Sequence, residues 1–190
     1  MTGPSLLSPE QLEDLAQLAR SAPAGAFVEV GVYRGGSARV LYDIAQEQGR
    51  TLYLFDTFAG HPIGGPHDDA IVHPVGRFGD PDIDVDALQH AMPHAIIRIG
   101  VFPDTLAFLY LPPIAFVHAD ADLYAPTLTV CKRLAPGMVD GGAILFDDYG
   151  YGGCPGVQRA VDECFGPPQP DGSDRRPGGQ RVVTIRTEAG

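Results

Sequence analysis

Four aspartates stand directly behind two apolar runs: Asp120 and Asp122 in 118-HADADLY-124, and Asp147 and Asp148 in 143-AILFDDYG-150. Carboxylates set against apolar segments are costly unless something positive offsets them. Asp120, Asp147 and Asp148 offer hard oxygen ligands, a set that suits Mg²⁺, or Ca²⁺ or Mn²⁺, far better than zinc, since no matching Cys/His set accompanies them. Without a cation, such neighbours raise one another's pKa. With one, an alcohol or phenol oxygen beside the metal becomes more acidic, and Asp122 is the candidate base that takes its proton. A lone Asp-Asp pair is more often a solvated loop or a helix cap. Two acidic clusters on consecutive strand ends weigh against that.

A second constellation is 29-EVGVYRGGS-37. A glycine-rich turn between strand and helix lets backbone approach a ligand closely and presents helix N-terminal amides. It is not the G-x-G-x-x-G dinucleotide pattern, because Tyr33 stands where the second glycine belongs. Asp56, at the end of 51-TLYLF-55, is suited to accept hydrogen bonds from ribose hydroxyls. The plainer alternative is that Asp56 caps its own loop.

These residues need elements to hold them. Ser8 and Pro9 read as the N-cap and first position of a helix with Leu12, Leu15, Ala16 and Ala19 on one face. Apolar runs at 26–30, 51–55, 95–99, 114–119, 143–146 and 181–186 read as strands, and 37–49, 85–92, 125–134 and 155–165 read as helices. Continuous apolar strands alternating with helices predict a parallel α/β sheet covered on both faces. In such sheets ligands bind beyond the carboxyl ends of the strands, where Gly31, Asp56, Gly100, Asp120 and Asp147 all fall. Residues 59–81, rich in Gly, Pro, His and Asp, form a long loop of the kind that acts as a lid. His61, His67 and His73 read as loop residues rather than ligands, and His118 as a hydrogen-bonded core residue.

The 190 residues fit one domain, with 1–25 as an N-terminal helical segment. A net charge of −11 argues against nucleic acid or an anionic membrane as partner. Three cysteines without CxxC spacing suit reduced thiols, and neither an export signal nor a spanning run is visible, so a cytoplasmic protein is expected. A homo-oligomer stays open.

The combination EVGVYRGGS, LFDTF, GVFPDTL, HADADLY and LFDDYG resembles the macrocin O-methyltransferase (TylF-like) family over about 27–165. The resemblance implies a Rossmann-like class I methyltransferase fold with a mostly parallel seven-stranded sheet. It implies S-adenosylmethionine and Mg²⁺ as cofactors and a small-molecule hydroxyl acceptor, sugar or phenol. By the same resemblance Asp120, Asp147 and Asp148 match the metal ligands and Asp122 the general base. Glu29, Gly31, Tyr33, Gly35 and Ser37 match the loop around the methionine moiety, Asp56 the ribose acid, and Gly100 with Val101 the neighbourhood of the adenine. A broader similarity to catechol O-methyltransferases stops at Leu123, where those enzymes carry a lysine base, and at Asp148, where they carry an asparagine. A metal-dependent hydrolase would leave EVGVYRGGS and Asp56 unexplained, and a non-catalytic cofactor-binding protein is the further alternative. The N-terminal cover is shorter than the family's.

Overall fold

The computed structural model describes residues 3–187; the outermost residues of the expected 1–190 domain, including the first two of its 1–25 segment, lie outside that range. Helix α1 (Pro9–Ser21) opens on a capping box. Ser8 Oγ accepts from the Gln11 amide at 3.2 Å, and the Gln11 side chain accepts from the Ser8 amide at 3.0 Å. Pro9 sits in the first turn, where no amide hydrogen is needed.

Strands β1 (Ala26–Val30), β2 (Leu52–Asp56), β3 (Ile96–Ile99), β4 (Ile114–Ala119), β5 (Met138–Phe146) and β6 (Arg181–Thr184) form one sheet in the order β3-β2-β1-β4-β5-β6. The first five run parallel and β6 pairs antiparallel to β5. Helices α2 (Gly36–Glu47), α3 (Val85–Ala91), α4 (Tyr124–Thr129) and α5 (Pro155–Phe165) complete the α/β fold, with α4 running on through a wide turn to Gly137. Among the described residues there are six strands, not the expected seven. The stretch between α5 and β6 carries Pro167, Pro168, Pro170 and Pro177, which cannot donate to a ladder, and it forms turns. Strand β5 begins earlier than expected because Met138 pairs with Ile114 across an irregularity before the ladder resumes at Ala143.

Side chains alternate between two apolar layers. Phe27, Leu52, Leu54, Phe116 and Leu145 pack with Leu15 of α1 and Leu41 and Ile44 of α2. Val28, Phe55, Val117, Ile144 and Phe146 pack with Val130 and Leu134 beyond α4 and with Val161 of α5. Burial on both faces is why these strands are apolar throughout rather than alternating. No described helix is long and apolar enough to cross a membrane.

The chain lays β1, β2 and β3 outward, then returns to place β4 on the other side of β1, so the strand order reverses between β1 and β4. Just beyond, the Asp120 amide donates to Val30 O at 2.8 Å and the Gly31 amide to Phe55 O at 2.9 Å. Gly31 has φ +93°, and a Cβ there would lie 1.7 Å from the Asp120 carbonyl oxygen. Gly31→Ala should therefore destabilise the fold by about 2–4 kcal/mol, combining left-handed strain with a backbone overlap. Urea midpoints of the two proteins measure this, and equal midpoints would refute the close approach.

Candidate functional site

A cavity of about 390 Å³ opens at the carboxyl ends of β1, β2, β4 and β5, a volume in the range of small-molecule sites. Gly31, Tyr33, Ser37, Asp56, Gly100 and Val101 line one part of it, and Asp120, Asp122, Asp147 and Asp148 line another. Ten of the expected site residues thus share one cavity. Glu29 and Gly35 lie outside its walls. Register explains Glu29: it stands opposite His118 in the β1–β4 ladder, and its Oε1 lies 2.8 Å from His118 Nδ1, with both side chains fully buried. A buried carboxylate needs such a partner.

Asp56 bolts the glycine turn. Its Oδ2 accepts from the Val32 and Tyr33 amides at 2.6 and 2.8 Å, and its Oδ1 from the Phe58 amide at 2.7 Å. Three of roughly four acceptor positions are thereby used, leaving about one for a ligand hydroxyl. The loop-capping and ligand-binding readings of Asp56 are thus compatible.

Donor oxygens of Asp120, Asp147 and Asp148 fall within 4.8 Å of one another, an all-oxygen set fitting a hard divalent cation. Burial, then the charges of Asp147, Asp122, Asp148 and Glu29, hold Asp120 well above the usual carboxylate range. Burial and the charges of Asp147 and Asp122 push Asp148 up to about 8. Asp147 accepts a hydrogen bond at Oδ1 from the buried Gln180 amide group. For Asp122 burial works upward, but hydrogen bonds with His61 and Asp148 outweigh it and set the carboxyl below its ordinary range. His61 Nε2 lies 3.0 Å from Asp122 Oδ2.

Residues 57–84 form one irregular loop over this cavity, as its composition predicts. Asp68 accepts from the Tyr124 amide at 2.7 Å, His67 meets the Tyr124 ring, and Arg34 pairs with Asp80. From the other side, residues 4–7 complete the wall. Among the described residues with left-handed backbone other than glycine, Tyr33, Phe58, Phe78, Asp122 and Asp148 all line the cavity, and only Phe108 lies away from it. Strained backbone of this kind clusters at functional sites in general.

Sequence reasoning missed His61 as the partner of Asp122, Gln180 as the partner of Asp147, and the wall from residues 4–7. Only the histidines carried a signal, their density in a long loop.

Residues 28–149 match the sequence model of a family described as a methyltransferase domain. The demethyldecarbamoylnovobiocin O-methyltransferase of Streptomyces niveus is 29% identical over 152 residues, covering 73% of this chain and 57% of that protein. The 8-demethyl-8-(2,3-dimethoxy-alpha-L-rhamnosyl)-tetracenomycin-C 4'-O-methyltransferase of Streptomyces olivaceus is 28% identical over 143 residues, covering 68% and 55%. The chain spans little more than half the length of these curated relatives. The solved structure of the O-methyltransferase NovP aligns over 96% of this chain and 82% of that one, with TM-score 0.76 and 24% identity, a likeness of fold.

The electrostatic load on the carboxylates is measurable without any ligand. Folded Asp148 retains its proton to about 8, whereas the unfolded group releases it near 3.8, so the folded state binds more protons across that window. The contribution of Asp148 to stability therefore falls as pH rises from about 4 to about 8. In chelator, the melting temperature should drop across this range, and Asp148→Asn should flatten the drop. A slope unchanged by Asp148→Asn would show that Asp148 does not carry this proton.

Proposed function

The chain belongs to the methyltransferase-domain family, and from that premise we propose that it moves a methyl group from S-adenosylmethionine to a hydroxyl of a sugar or other natural-product acceptor, with the help of Mg²⁺ or a similar cation. The observation that carries this is the single cavity joining the glycine turn and Asp56 to the four aspartates. The relatives named above, O-methyltransferases of a rhamnosyl tetracenomycin and of demethyldecarbamoylnovobiocin, support the acceptor class.

S-adenosylmethionine, when bound, supplies an electrophilic methyl carbon on a sulfonium. Gly31, Tyr33 and Ser37 would hold its methionine part, Asp56 its ribose, and Gly100 and Val101 its adenine. Asp120, Asp147 and Asp148 would hold the divalent cation, which when bound makes a neighbouring hydroxyl more acidic. Asp122 accepts the acceptor's hydroxyl proton, and His61 fixes the orientation of that carboxylate through Oδ2. The loop over the cavity and residues 4–7 wall the site; with ligands bound they would limit water there and hold the acceptor oxygen close to the methyl carbon. The catechol-type alternative lacks the lysine its relatives carry, since buried, apolar Leu123 stands in that place, and a phenol acceptor would have to use Asp122 instead.

Asp122→Asn should lower turnover about 10²–10⁴-fold, the usual contribution of a positioned base, while calorimetric affinity for S-adenosylhomocysteine stays unchanged. Near-normal turnover would remove Asp122 from the base role. Asp56→Asn should weaken S-adenosylhomocysteine roughly 10–100-fold, the equivalent of about 1.5–3 kcal/mol for hydrogen bonds to a charged group. If the unaltered protein binds no S-adenosylhomocysteine at all, the methyltransferase reading falls.

A further inference from the structure

The loop over the cavity brings in more than the His61 contact that orients Asp122 for methyl transfer. His61 and His73, both on that loop, have ring centroids 5.2 Å apart. His61 Nε2 is 3.0 Å from Asp122 Oδ2, His73 Nε2 is 3.0 Å from Gly153 O and 3.2 Å from Cys154 Sγ, and that sulfur is 3.8 Å from Asp122 Oδ1. A donor atom from each of His61, His73 and Asp122 lies within 4.8 Å of the other two, and Cys154 shares a second such group with Asp122 and Asp148. Around a tetrahedral ion with bonds of about 2.0–2.3 Å, donors stand roughly 3.3–3.8 Å apart, so small side-chain shifts suffice. His73 and Cys154 are 4% and 1% exposed, and the His61 and Asp122 side chains are 10% and 16% exposed. Nδ1 of each imidazole is buried and has no partner among the described residues. Burying two rings with an orphan nitrogen apiece is costly unless the rings serve a ligand.

We propose that His61, His73, Asp122 and Cys154 form a binding site for a borderline-soft divalent cation of the zinc class, adjoining the oxygen set of Asp120, Asp147 and Asp148, whose Asp148 also lies beside Cys154. Imidazole and thiolate donors select Zn²⁺ or Co²⁺ over Mg²⁺, which takes oxygen. Cys154 gives up its thiol proton to solvent as it coordinates. The ion ties the loop to the end of β4 and the start of α5. It also engages Asp122, so occupancy and proton acceptance by that carboxylate exclude one another.

Cobalt(II) alone, titrated into the full chain, tests this without cofactor or acceptor, so the outcome is independent of methyl transfer. One equivalent should give the visible bands of a tetrahedral site and a near-ultraviolet thiolate band, the latter lost in Cys154→Ser. Both should persist in Asp147→Asn and weaken at least tenfold in affinity in His61→Gln and His73→Gln, with circular dichroism melts showing which variants are folded. His61, half-buried, keeps the test informative if His73→Gln does not fold. Three results overturn the site: no tetrahedral bands, no thiolate band, or binding abolished by Asp147→Asn and untouched by the histidine variants.

Discussion

The closeness of two strand ends governs this molecule's chemistry. Gly31 follows β1 with no side chain, and the Asp120 carbonyl from the end of β4 occupies the space a Cβ would take. That contact fixes how near the glycine turn comes to the first acidic residue. Asp56, reaching across from β2 to the Val32 and Tyr33 amides, holds the turn in the same place. One cavity can therefore serve two unlike ligands, because backbone atoms rather than flexible side chains set the distance between their halves.

The second determinant is charge. Burial and mutual repulsion drive Asp120 and Asp148 toward their protonated forms, while His61 draws Asp122 the other way. Environments that separate the pKa values of adjacent acids are how a protein assigns them different tasks. Behind the sheet's antiparallel edge, by contrast, charge is paired off. Buried Arg181 pairs with Asp174 and Asp162 and lies over the Tyr149 ring, while Tyr149 donates to Asp162 at 2.6 Å. The tyrosine of the Asp-Asp-Tyr run is thus architectural, although it adjoins the two acids.

Much of this was legible in the sequence. Strands buried on both faces read as unbroken apolar runs, and Pro155 and the residue before Gly166 bound α5 as expected. The acids at the strand ends pointed to one site because parallel topology gathers such ends together. What stayed hidden depends on distant pairings. Glu29 sits in the motif yet faces inward, which only its register with His118 reveals. The contacts of His61 and of residues 4–7 come from irregular chain, where no periodicity says which way a side chain points. The seventh strand was an expectation of resemblance, and the proline-rich stretch before β6 does not supply it.

Gln180 immediately precedes β6, and its amide orients the Asp147 carboxylate. During synthesis all five parallel strands, and every acid of the cluster, leave the ribosome before that residue does. Asp147 therefore depends for its clamp on a segment made after the rest of the cluster. Completion of the acidic cluster is thereby coupled to the antiparallel pairing of the sheet: Asp147 gains its amide partner only when the chain around β6 is in place.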